Sequence, residues 1–188
     1  MASSARLTEP QVRDDRLDSR VAEPLVRALY AELLERYGVP DADPDGLTAD
    51  DLASPTGAFV LAWLGERAVA CGGVRRHEAA VGELKRMYVE PSSRGHGLSR
   101  LVLAELEGRA GALGYRQVIL ETGVRQPEAM RLYETSGYEP IKPYGFYRTS
   151  PLSRCYAKYL RPGSTAATVS SGRRAPEGSS DRGTPSPR

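Results

Sequence analysis

The chain has 188 residues, 40% of them apolar and 27% charged, with a formal net charge of +2. Such a length buries one respectable core and is too short for two domains of ordinary size, and no apolar run approaches the roughly 20 residues that span a bilayer. The opening MASSARLTEPQVRDDRLDSR has no apolar stretch behind its first arginine, so a secretory signal is not expected and the cytoplasm is the expected compartment. Met1 to roughly Thr8 reads as a loose terminus, and residues 9–162 as a single folded domain. Pro24 suits the first turn of a helix, and Leu25, Ala28, Leu29, Leu33 and Tyr37 follow at helical spacing up to Gly38 and Pro40. A second, shorter helix is expected after Thr48.

The period then changes. AFVLAWL (58–64) and RAVACGGVRR (67–76) are strand-like and joined by Gly65 and Glu66, which suits a hairpin. VGELKRMYVE (81–90) follows as a third strand, whose simple alternation puts Leu84, Arg86 and Tyr88 on one face and Lys85, Met87 and Val89 on the other. Pro91 stops it, SSRGHG makes a tight loop, and a helix begins directly after, with Leu98, Val102, Leu106, Ala110 and Leu113 in one stripe and Gly114 as a left-handed cap. QVILET is a short buried strand. Pro127 opens a helix bearing Ala129, Met130, Leu132 and Tyr133 that stops at Gly137, and Tyr138–Ile141 and Arg154–Leu160 close the domain around a loop containing PYGFY. The order predicts an α/β (mixed α+β) fold: one mixed, mostly antiparallel sheet with helices on both faces.

Cys71 and Cys155 both fall in strand-like stretches and read as buried free thiols, since a disulfide scaffold or zinc site needs more sulfur or a Cys/His cluster. From Gly163 to Arg188 the composition is dominated by Ser, Gly, Pro, Thr and Arg, which cannot repay the entropy of folding, and a disordered tail is expected. Residues 161–188 hold five arginines against Glu177 and Asp181, leaving residues 1–160 at about −1. The folded part is therefore not basic, which argues against a nucleic-acid partner.

A strand, a glycine loop and a helix in succession gather unpaired backbone N–H groups at a positive helix end, where an anion binds. Gly95 and Gly97 let the backbone approach such a ligand, and Arg94 adds charge beside it. The nucleotide triphosphate loop fails for want of its lysine, and the dinucleotide fingerprint fails because Arg100 stands where a third glycine belongs.

The stretch ELKRMYVEPSSRGHGLS (83–99) resembles the acetyl-CoA-binding motif of the GNAT superfamily of N-acetyltransferases, Q/R-x-x-G-x-G/A, here Arg94, Gly95, His96, Gly97, Leu98 and Ser99, with Ser99 replacing the usual glycine or alanine. LETGVRQPEAMRLYETSGYE (120–139) is similar to the family's second motif, with Gln126 where many members have asparagine. The resemblance implies a GNAT-like fold and transfer of an acetyl group from acetyl-CoA, without a metal, to a primary amine, more readily a small molecule's than a protein lysine. It implies backbone contacts to the diphosphate at residues 95–99 with Arg94 as a charge beside them, pairing of Met87 and Val89 with the pantetheine arm, and an oxyanion-binding N–H at Tyr88 or Val89. It places a catalytic glutamate at Glu83, with Glu121 in reserve, and makes Tyr133 the proton donor to the departing thiolate. His96, inside the anion loop, is not expected to be a base, His77 reads as a surface residue, and Tyr144, Phe146 and Tyr147 either wall the acceptor pocket or pack their loop. A monomer or homodimer is expected. A non-catalytic acyl-CoA-binding module and a protein lysine or N-terminal acetyltransferase stand as alternatives.

Overall fold

The computed structural model describes residues 9–38 and 46–161. The expected loose N-terminus (1–8) and tail (163–188) lie outside the described residues.

Among the described residues, seven strands form one sheet: β1 (Gln11–Asp15), β2 (Ala58–Leu64), β3 (Arg67–Glu78), β4 (Val81–Val89), β5 (Gln117–Gly123), β6 (Glu139–Ile141) and β7 (Ser153–Tyr159), in the order β1-β2-β3-β4-β5-β7-β6. Every neighbouring pair is antiparallel except β4 and β5, which run parallel. Three helices cover it: α1 (Ala22–Tyr37), α2 (Leu98–Ala112) and α3 (Pro127–Thr135). This is the expected mixed sheet with helices on both faces. None of the described helices is long and apolar enough to cross a membrane.

Two apolar layers sandwich the sheet. On one face Leu98, Val102, Leu103, Leu106 and Ala110 of α2 and Tyr133 of α3 pack on Val60, Val74, Leu84, Val118 and Leu120. On the other, Ala22, Leu25 and Leu29 of α1 pack on Phe59, Leu61, Cys71 and Tyr88. Complete burial of a leucine or valine of this kind stabilises by about 1.5–3 kcal/mol, so each helix is held mainly by its apolar stripe. Both cysteines are buried and free, and burial pushes the Cys71 thiol up to about 12.

Four expectations need correction. Helix α1 starts at Ala22, so Pro24 is its third residue; its ring is tolerated there because N–H groups of the first turn have no partner inside the helix. Ser19 Oγ accepts the Ala22 N–H at 3.0 Å at this end. No helix follows Thr48: Thr48 and Asp51 exchange hydrogen bonds as at a helix start, but the chain continues in turns towards Pro55, which has no N–H to extend a helix. β1 was not foreseen, because QVRDD has almost no apolar alternation; it pairs with β2 at the sheet edge, where polar residues face water. In β4 the pairing passes from Gly73↔Lys85 to Cys71↔Tyr88, so one extra residue is inserted and Arg86 sits at φ 58°. That bulge breaks the simple alternation: Leu84, Met87 and Val89 face α2, whereas Tyr88 faces α1.

Candidate active site

The bulge in β4 makes the site. The β4–β5 ladder runs from Val81↔Gln117 to Leu84↔Leu120 and stops there. Beyond it β4 continues to Val89 paired with β3, and β5 continues to Gly123 paired with β7. A bulged strand bends, and here the two central strands part into a wedge whose inner main-chain edges have no neighbouring strand among the described residues. A cavity of about 530 Å³ occupies the wedge, lined by residues 84–89 of β4, residues 121–123 of β5 and parts of all three helices.

On the α2 and α3 face the cavity runs into the glycine loop. Gly95 and Gly97 have φ values of 81° and 78°, and a Cβ at either would meet nothing within 4 Å. These glycines serve backbone conformation and leave open space for a ligand. The first α2 bond runs from Leu101 N to Gly97 O, so the N–H groups of Leu98, Ser99 and Arg100 lack a partner within the helix, and no side chain caps this end. The result is a cluster of donors aimed at the cavity, suited to an anion. Tyr133 enters from α3. It is 6% exposed, lines the cavity, and stacks edge-on against Tyr138 at 5.7 Å, and burial pushes its phenol well above the usual range. It therefore keeps its proton at any ordinary pH.

On the α1 face the wedge is polar at its floor. Glu121 lines the cavity and accepts the Ser153 hydroxyl at 2.6 Å. Glu83 does not line it. Its oxygens are held by Arg75 at 2.8 Å and Lys85 at 2.9 Å, and Tyr144 donates to it at 3.1 Å. Burial alone would raise the Glu83 carboxyl, but Lys85 and Arg75 outweigh it and hold the group below the usual carboxylate range. The C-terminal end of α1 is strapped over the wedge: Arg36 donates to the Arg125 carbonyl at 2.7 Å, Arg125 returns a bond to the Arg36 carbonyl at 2.6 Å, and Arg36 also pairs with Glu32 and Glu128.

Of the residues expected from the sequence, Met87, Tyr88, Val89, Arg94, Gly95, Gly97, Leu98, Ser99, Gln126 and Tyr133 come together around the one cavity, while Glu83 and His96 do not line it. Arg94 turns towards α1, donating to the Val89 carbonyl at 2.9 Å and to Glu32 at 2.5 Å. Gln126 stands at the N-cap of α3 and accepts the Thr122 hydroxyl at 3.3 Å. His96 is exposed beside the Ser93 carbonyl, and His77 is an exposed strand residue packed edge-on against Tyr144. Tyr147 lines the cavity, Tyr144 reaches Glu83, and Phe146 is turned to solvent. Sequence reasoning missed Glu32, Leu33 and Tyr37 of α1 as cavity residues. The one local sign was Glu32 and Arg36 four residues apart beside an apolar stripe.

This geometry accords with the comparisons. The model of the acetyltransferase (GNAT) family matches residues 25–138. The IAA acetyltransferase of Azospirillum brasilense is 37% identical over 115 residues, which are 61% of this chain and 75% of that protein. An aminoglycoside N(6')-acetyltransferase type 1 of Stenotrophomonas maltophilia is 30% identical over 140 residues, 69% of this chain and 90% of that protein. The solved structure of an inferred acyl-CoA N-acyltransferase from Klebsiella pneumoniae superimposes with a TM-score of 0.70 at 28% identity, covering 81% of this chain and 99% of that one. The chain belongs to the GNAT family of acetyltransferases, and is an acyltransferase.

Proposed function

We propose that this protein transfers an acetyl group from acetyl-CoA to the primary amine of a small molecule, by direct attack with both substrates bound. The reading is carried by one observation: a cleft between parted strands joins an uncapped helix end on one side of the sheet to a carboxylate on the other. The fit to coenzyme A lies in chemistry. The N–H groups of residues 95–99 suit a diphosphate, and the open edge of β4 at Met87 and Val89 suits the amide-bearing pantetheine arm as an added strand. Arg94, Leu98, Ser99 and Gln126 complete that side of the wall, with His96 at the loop's outer edge.

When bound, acetyl-CoA supplies a thioester as acyl donor. The protein then has three tasks. The N–H of Tyr88 or Val89, on the edge that β5 leaves open, stabilises negative charge growing on the acyl oxygen. Tyr133, kept protonated by burial, donates a hydrogen bond to the departing sulfur, which leaves as a thiolate and takes up the proton released from the amine. A carboxylate on the α1 face takes the proton of the amine, directly or through water. Two are near. Glu121 borders the cavity, whereas Glu83 lies outside its lining and is held by Arg75 and Lys85, so Glu121 is the favoured base and Glu83 fixes the charge beneath it.

Steady-state coenzyme A release measured with Glu121→Gln tests the assignment. The expected loss in kcat/KM at pH 7 is about 100-fold, narrowing as the pH approaches the amine's own value of about 10. A loss confined to Glu83→Gln would move the base back to Glu83.

A further inference from the structure

The half of the cavity facing α1 has a chemical character that bears on the acceptor. Its walls are Leu29, Leu33 and Tyr37 of α1 with Tyr147 and Leu152 of the loop between β6 and β7. Leu152 is 37% exposed at the rim, and Phe146, 59% exposed, packs edge-on against Tyr147 at 5.0 Å, so the apolar lining continues outwards. Small-molecule pockets are lined mainly by apolar and aromatic side chains with a few polar groups at fixed points, which is the make-up of this half.

The charge around the cavity is balanced. Its lining carboxylates are Glu32, Glu121 and Glu128, and its lining cations are Lys85, Arg86 and Arg94. Glu32 is paired with both Arg36 and Arg94, and Glu128 with Arg36. Burial alone would raise both carboxyls, but these arginines hold both below the usual range. A ligand with several ammonium groups thus meets no excess of negative charge, and each ammonium placed against Leu33 or Leu152 would lose hydration without a partner. A ligand with one amine and an apolar body meets the opposite: Glu121 at the floor and a hydrocarbon surface above it.

We infer that the acceptor is a monoamine with an apolar, alkyl or arylalkyl, body, seated between α1 and the β6–β7 loop with its nitrogen towards Glu121. This rests on the cavity being the acetyl-transfer site. It sets the chain apart from its relative named for aminoglycosides, which carry several amines.

The test uses the full-length protein, acetyl-CoA and two sets of acceptors: straight-chain monoamines of three to seven carbons with phenethylamine, and a triamine with an aminoglycoside. Binding of acetyl-CoA is measured separately by calorimetry. The expected result is a rise in kcat/KM of about fourfold per added methylene until the walls are met, with phenethylamine at least about tenfold above the triamine. Leu152→Asp, a change at a half-exposed loop position, flattens that rise and improves the triamine. A flat response to chain length, a preference for the triamine or aminoglycoside, or acetyl-CoA binding without acetylation of either set overturns the inference and leaves the coenzyme site standing. Failure to bind acetyl-CoA overturns the functional reading itself.

Discussion

Tyr133 and Glu121 approach the wedge from opposite faces of the sheet, one from α3 and one from β5, which keeps the proposed donor to sulfur apart from the proposed base. Tyr133→Phe removes a single hydroxyl from a ring already packed against Tyr138 and Tyr156. Its expected effect is a fall in kcat of about 100-fold with little change in acetyl-CoA affinity, read by pairing turnover with calorimetry. Because burial raises this phenol, its ionisation contributes no alkaline loss of rate below about pH 10. Glu83 predicts differently. Glu83→Gln removes the buried carboxylate that Arg75 and Lys85 share, and breaking such a pair costs about 3 kcal/mol, visible as a shift in denaturant midpoint. The sign follows from its depressed carboxyl: the stabilisation is complete above the unfolded value of about 4.3 and is lost as pH falls through the lower folded value. The gap between wild type and Glu83→Gln should hold from pH 8 to pH 6 and close in acid; a gap constant down to pH 2 would remove the ion pair as its cause.

Among the elements, what the sequence disclosed and what it hid divide by the range of the interactions. Helix α2 with its glycine loop and helix α3 were readable because Pro91, Gly97, Gly114, Pro127 and Gly137 act on their own neighbours. The wedge was not readable. It depends on one inserted residue at Arg86, which carries no glycine signature despite its φ of 58°, and on β5 choosing β7 over β4 beyond Leu120. The strap from α1 was equally hidden, since Arg36 and Arg125 are brought together from 89 positions apart. Its contact with β5 is tight: a Cβ on Gly123 would lie 2.0 Å from the Tyr37 hydroxyl oxygen. Gly123→Ala therefore forces the Tyr37 ring aside and costs about 1 kcal/mol, with a raised KM for the acceptor. In a double-mutant cycle, Tyr37→Ala recovers most of that stability, and additive losses would show that the two do not touch.

At the scale of the molecule, the described residues by themselves supply a continuous sheet, two apolar layers and a lined cavity. The arginine-bearing segment from Gly163 to Arg188 contributes four arginines against two acids, and without it the chain is close to neutral. Its charge is thus the main source of the sequence pI of about 8.6. A cavity whose lining charges already balance has no need of that surplus for catalysis, while any acidic surface that the protein meets would feel it over a Debye length of about 8 Å at physiological salt. Chain ending at Pro162 should keep kcat/KM within about twofold of the full-length protein and lose retention on a polyanionic column below about 0.15 M salt. A tenfold drop in kcat/KM on truncation would place part of that segment against the acceptor and add a positive wall to a pocket that is balanced without it.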